Sequence, residues 1–209
     1  GLGLHLSGKK FYDYRRSLPQ STLRGDVVRS MGEKYIADYL FEHGIGYSYE
    51  LSFRMGSAGI YRPDFCIWVG EGASNRRFVW EHWAFNPSAP SPGHIDDWSP
   101  QEIEQYKEDI QRKRDYWSEK GWELIETHSD MLSEGRAPFE AELRLRLENH
   151  GIKHEKLSQA ELLQRVEHNL RSKLSRLLSQ FVSRSLSSEC NISVLFDKLT
   201  AHNAEDDRE

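Results

Sequence analysis

The sequence predicts an α/β fold: a mixed central sheet flanked by helices, with a helical extension behind it. Three observations carry this. Three short runs rich in aromatic and β-branched residues lie between Tyr47 and Trp83, a long helix signal then leads to a fourth such run, and beyond Ser133 the apolar pattern is helical throughout. With 209 residues, 37% of them hydrophobic, the chain suits one domain with an appendage.

The first 25 residues mix basic and aromatic side chains (Lys9, Lys10, Phe11, Tyr12, Tyr14, Arg15, Arg16) without a period and read as an extended arm. From Ser30, Met31, Tyr35, Ile36, Tyr39 and Leu40 recur three and four apart, and Gly44 supplies a stop, which predicts a helix. Tyr47 to Phe53, Pro63 to Val69 and Phe78 to Trp83 are bounded by turn formers and read as three strands of an antiparallel meander. Pro63 suits the start of its strand, where no ladder hydrogen bond is lost. A Pro-rich loop from Asn86 ends at Ser99-Pro100-Gln101-Glu102, a capping serine with proline at the first helical position and a glutamate three residues after the cap. The helix it opens runs to about Lys120 and stops at Gly121. Trp122 to Thr127 then reads as a fourth strand, reached by a crossover onto the same sheet. Ser158 with Glu161 spells another capping box, and Leu162, Leu163, Val166, Leu170, Leu174, Leu177, Leu178 and Phe181 form a long stripe at helical spacing. The expected organisation is an arm (1–25), a core (26–132), a helical extension (133–200) and a polar tail (201–209).

Composition excludes several classes. The longest apolar run is Phe65 to Val69, far short of the roughly 20 residues a membrane helix needs. Cys66 and Cys190 are the only cysteines and form no CxxC pair, so neither a disulfide framework nor a cysteine zinc site is signalled, and a reducing, cytoplasmic setting is the simplest reading. No GxxxxGK[ST] phosphate loop and no GxSxG elbow occur, which excludes an ATP-driven motor lying wholly within this sequence. The first residue is Gly1, which fits a processed chain or a piece of something larger. The 28 basic and 33 acidic residues give a net charge of −5, with nine and six in residues 1–62, eight and sixteen in 63–140, and eleven of each in 141–209. That balance disfavours nonspecific adsorption to nucleic acid and leaves room for a local groove.

Two carboxylates stand out in the hairpin. Asp64 follows Pro63, and Glu81 lies in a strand otherwise made of Phe78, Val79, Trp80 and Trp83. A carboxylate among aromatics is costly to bury without a partner. Two on neighbouring strands can share a divalent cation, and hard oxygen ligands favour Mg²⁺ or Mn²⁺ over Zn²⁺; the alternative is an ion pair with Arg62, Arg76 or Arg77. Lys113 falls on the inward stripe of Ile103, Tyr106, Ile110 and Trp117, which calls for an anionic partner or a side chain that snorkels out. Glu33, three residues after Ser30, is either a capping glutamate or a further ligand of a metal or of its water. His82 adjoins Glu81, and a lone histidine in a strand reads as a packed or surface residue before it reads as a ligand; His94 and His128 have no HExxH companion.

Taken together, the run Thr22 to Glu33, Ile36-Ala37-Asp38-Tyr39-Leu40, Gly44-Ile45, Tyr47-Ser48-Tyr49-Glu50, Arg62-Pro63-Asp64-Phe65, Trp80-Glu81-His82-Trp83, Lys113, Tyr116 and Leu124-Ile125-Glu126-Thr127 resembles the PD-(D/E)XK nuclease domain found within bacterial UvrD-like superfamily 1 helicases. The resemblance covers roughly residues 20 to 130. It implies a restriction-endonuclease-like core that hydrolyses DNA phosphodiesters with Mg²⁺, for which Mn²⁺ can substitute, beside helicase motor domains. Asp64 matches the acid of the PD motif, Glu81 the acid of (D/E)XK, Glu33 the acid of the first core helix, and the main-chain carbonyl of His82 a further metal contact. One departure is plain: Trp83 occupies the place of the motif's lysine, and Lys113 is the residue expected to supply the missing cation. Lys9, Lys10, Arg15 and Arg16 are expected to track the DNA backbone. The competing expectation is a catalytically inactive nuclease-fold module that binds DNA or supports a helicase motor.

Overall fold

The computed structural model describes residues 20–55, 59–70, 75–89 and 98–187. Lys9, Lys10, Arg15 and Arg16 and the polar tail lie outside them. The described end of the arm is a small hairpin, β1 (Gln20–Ser21) with β2 (Val27–Val28), in which Gly25 takes a positive φ of 92°. Helix α1 (Met31–Glu42) follows, capped by the Ser30 side chain, which accepts from the Glu33 N–H.

The expected first strand is broken. β3 (Tyr47–Tyr49) ends at Glu50, whose φ of 48° turns the chain out of the strand, and β4 (Phe53–Arg54) pairs instead with β5 (Ile60–Tyr61) in a separate hairpin. The main sheet continues with β6 (Phe65–Val69) and β7 (Arg76–Trp83). Helix α2 (Pro100–Glu119) opens on the Ser99/Glu102 capping box and leads to β8 (Glu123–His128). The strand order is β3-β6-β7-β8, antiparallel except for the parallel β7–β8 pair that the α2 crossover makes possible.

Strand alternation sorts the core into two layers. Phe78, Trp80 and His82 of β7 project to one face, where Phe78 meets the His150 ring at 6.0 Å and His82 meets Phe139 at 5.8 Å. Val79, Glu81 and Trp83 project to the other, where Val79 and Cys66 pack on Trp117 of α2. Trp117 is fully buried, with Phe53 and Tyr61 of the small hairpin against it at ring distances of 4.9 and 5.9 Å.

After a 3₁₀ turn (Ser129–Leu132), helix α3 (Arg136–Asn149) buries Phe139, Leu143 and Leu147 completely on the α1 face. The first compact unit runs to Leu162 and includes α3, which covers the sheet's second face. Helix α4 (Gln159–Ser187) opens with Glu161 accepting from the Ser158 N–H at 2.9 Å, as the capping pattern predicts. In the second unit, which starts at Leu163, Leu177, Leu178 and Phe181 are about half exposed. Among the described residues no helix is long and apolar enough to cross a membrane.

One close approach locks α1 to the sheet. A Cβ on Gly32 would lie 2.0 Å from His82 Nε2, and the ring is backed by Thr127 and Phe139. Gly32→Ala is expected to cost about 1–3 kcal/mol through overpacking, lowering Tm by roughly 2–4 °C per kcal/mol, although alanine alone favours a helix interior by about 1 kcal/mol. Thermal melts of Gly32→Ala with and without His82→Ala check this: the loss should be smaller when the imidazole is absent.

Candidate functional site

The β6–β7 register assembles the site. Phe65 pairs with Trp80, so one step further Asp64 stands opposite Glu81, on the face that carries α2. The ladder ends there, and the His82 N–H donates to Asp64 Oδ2 at 2.7 Å instead of to a strand carbonyl. In antiparallel pairing a residue's N–H and C=O project to the same neighbour, so the His82 carbonyl is directed to the edge that Asp64 occupies. The His82 side chain goes the other way: Nδ1 lies 2.9 Å from Thr127 Oγ1, and burial, with His128 nearby, pushes its pKa down to about 3, so the ring is neutral.

Glu81 is 2% exposed, and its Oε1 accepts a short hydrogen bond from the Tyr61 hydroxyl. Burial is the main force that pushes its pKa up to about 7; Lys113 and the Tyr61 hydroxyl oppose it, while Glu126 and Glu33 add to it. Glu126 is its register partner on β8 and is itself held by Trp83 Nε1 at 2.8 Å and Arg114 Nε at 2.9 Å. Asp64 is half-buried as a residue, yet desolvation of its carboxyl, followed by the charges of Glu81 and Glu33, holds its pKa well above the ordinary carboxylate value. The His82 N–H and Lys113 pull in the opposite direction.

Lys113 is on the inward stripe, as its spacing predicts, one turn from the buried Ile110 and Trp117. Its Nζ lies 5.0 Å from the ring centroids of both Tyr61 and Trp83. The Trp83 indole thus forms a face on which the lysine of the next helix rests, an interaction worth roughly 0.5–2 kcal/mol. Glu33 reaches the cluster from the start of α1. Its Oε2 accepts from the Tyr49 hydroxyl at 2.7 Å and from the Arg29 N–H at 3.0 Å, and its Oε1 from Ser30 Oγ at 2.9 Å. Both structural and electrostatic roles are therefore filled by one side chain: it closes the helix end and adds negative charge beside Asp64.

Among the described residues no three His, Cys, Asp or Glu side chains are gathered to hold a metal ion. What the site offers is a pair of hard oxygen donors, Asp64 and Glu81, with the His82 carbonyl at the same edge. That set fits Mg²⁺, which keeps several waters and takes one or two carboxylates together with substrate phosphates. Tyr61, Tyr49 and Glu126 belong to the site and were not singled out by sequence. Tyr61 adjoins Arg62-Pro63-Asp64, but its reach to Glu81 depends on the β4–β5 hairpin, which the pattern reads as a turn. Compared with protein-family models, curated proteins and solved structures, the chain finds no match.

The raised pKa values carry a pH signature. Glu81 holds its proton more tightly in the folded chain than at its ordinary value of 4.5, so stability falls as pH rises from about 4.5 through about 7, and Asp64 acts in the same direction. At pH 8 the penalty from Glu81 is roughly 3 kcal/mol. Glu81→Gln, which keeps an acceptor for Tyr61, should raise Tm at pH 8 and change it little at pH 4.5; melts across that range test the sign.

Proposed function

We propose that this chain is a metal-dependent deoxyribonuclease of the PD-(D/E)XK kind, its α/β core restriction-endonuclease-like and its natural setting a helicase-nuclease with UvrD-like motor domains. The observation that carries the reading is the placement of Asp64 opposite Glu81 at the end of the β6–β7 ladder with Lys113 across from them. Two buried carboxylates that repel one another and hold their protons above the normal range gain most from a divalent cation.

Asp64 and Glu81, with the His82 carbonyl, would hold Mg²⁺, and Mn²⁺ in its place. Bound there, such an ion supplies an acidified water and a counter-charge for the phosphate. The chain's own residues do the rest. Lys113 presents a fixed positive charge toward negative charge that develops on the scissile phosphate, and the Tyr61 and Trp83 rings restrict its ammonium to that neighbourhood. Tyr61 donates a hydrogen bond from its hydroxyl to Glu81 and keeps its proton, since burial and the Glu81 charge raise its pKa. Glu33, fixed by three donors, is a positioning residue that deepens the negative potential at Asp64.

A second reading draws on one observation: Trp83 stands where the motif has lysine, which suits a module that binds DNA or supports a helicase motor without cleaving. End-labelled single- and double-stranded DNA incubated with Mg²⁺, Mn²⁺ or chelator separates the two. The nuclease reading expects metal-dependent cutting by the unaltered chain, reduced by about two orders of magnitude or more in Asp64→Asn and in Lys113→Ala. It also expects Mg²⁺ to raise Tm at pH 8, an effect absent from Asp64→Asn. Cutting that survives Asp64→Asn would discard the assignment, and metal-indifferent DNA binding without cutting would favour the module.

A further inference from the structure

We infer that Arg29 and Arg62 form a clamp for the phosphate backbone of DNA beside Asp64, and that Glu50 occupies the phosphate's place on Arg29 when DNA is absent. The inference rests on the nuclease reading and extends it to how the substrate is gripped. A chain of net charge −5 whose candidate site is built of carboxylates repels a polyanion, so affinity has to come from cations gathered close to that site. Lys113 is half-buried between two rings and is committed to the carboxylates.

The short loop from Glu50 to Ser52, between β3 and β4, gathers them. The Glu50 N–H donates to the Asp64 carbonyl at 3.1 Å, which lays the loop against the site. Two guanidinium groups converge on it. Arg29 Nη2 lies 2.5 Å from Glu50 Oε1, and Arg62 Nε donates to Ser52 Oγ at 3.0 Å. Arg29 is also tied to the site's other side, because its backbone N–H donates to Glu33. Both arginines remain open to solvent, the Arg29 side chain at 59%.

Glu50 itself is the unusual partner. Among the described residues it is the one non-glycine at positive φ, a conformation that glutamate enters at a cost and that asparagine or glycine takes more readily. An ion pair with so exposed an arginine returns little stability for that cost. A carboxylate and a phosphate oxyanion offer a guanidinium the same bidentate geometry, so a phosphate can take over Arg29 while Glu50 swings away. The loop then acts as a seat in which one anion exchanges for another, next to the acids that would cut.

The test is fluorescence anisotropy of a labelled single-stranded oligonucleotide of about 20 nucleotides with the full chain, in chelator so that nothing is cut, titrated over salt. Arg29→Ala and Arg62→Ala should each raise Kd severalfold and lower the slope of log K against log salt by about 0.7 for each phosphate that is no longer neutralised. Glu50→Gln should do the opposite and tighten binding, because it empties the seat without removing a cation. Arg29→Lys should keep the salt slope and lose part of the affinity. Wild-type binding with both alanine variants unchanged in Kd and slope, or weaker binding by Glu50→Gln, would overturn the clamp and leave the nuclease reading standing. A wild-type chain that neither binds at low salt nor cuts would overturn both.

Discussion

Because side chains alternate across a strand, the pairing of Phe65 with Trp80 decides far more than two residues. It puts Cys66, Val79, Asp64 and Glu81 on one face and Phe65, Ile67, Trp80 and His82 on the other. A slip of one residue between β6 and β7 would send one acid to the α2 face and the other to α1, and the buried aromatics with them. The register is held by what it buries: Phe65, Ile67, Phe78 and Trp80 are fully enclosed, so the hydrophobic cost of a slip protects the placement of the carboxylates.

The same face shows how a site can carry more negative charge than burial ordinarily tolerates. Glu33, Asp64, Glu81 and Glu126 sit within electrostatic reach of one another, and each is answered differently. Glu126 has Arg114 and the Trp83 indole N–H, Glu33 has a hydroxyl, a phenol and a backbone amide, and Glu81 has the Tyr61 phenol and the field of Lys113. Asp64 has the His82 backbone amide and, like Glu81, the field of Lys113. Glu33 and Glu126 are tied into the scaffold by these donors, and Asp64 and Glu81, which both hold their protons above the ordinary carboxylate range, face each other.

Much of this was legible in the sequence, for reasons that lie in the chain itself. Short runs rich in aromatic and β-branched residues, bounded by turn formers, marked β6, β7 and β8, and the inward stripe of α2 showed Lys113 between Ile110 and Trp117, which do become buried. The capping signals at Ser30, Ser99 and Ser158 were local and therefore readable. What sequence pattern missed depends on backbone turns with no side-chain signature. Glu50 at positive φ splits a run that reads as one strand, and the resulting β4–β5 hairpin delivers Tyr61 to Glu81 across 20 residues. That α3 packs with the sheet is likewise hidden in sequence, because α3 has an ordinary helical pattern. Only the uncovered face of the sheet shows that Phe139, Leu143 and Leu147 belong to the core.

The cation of the site rides on a helix, not on the strand that holds the acid, and this sets which changes of chain length the molecule can absorb. A helix advances about 100° per residue. Ile110 and Trp117 seat α2 on the sheet, and Lys113 points between Tyr61 and Trp83 only while it stays three residues from one and four from the other. An insertion or deletion before Ser99 leaves that phase untouched, since the same two side chains still dock the helix. A single residue gained or lost between Ile110 and Trp117 turns the ammonium about a quarter of the way round or unseats an indole, so the two ends of that span are bound to one another as tightly as the acids are.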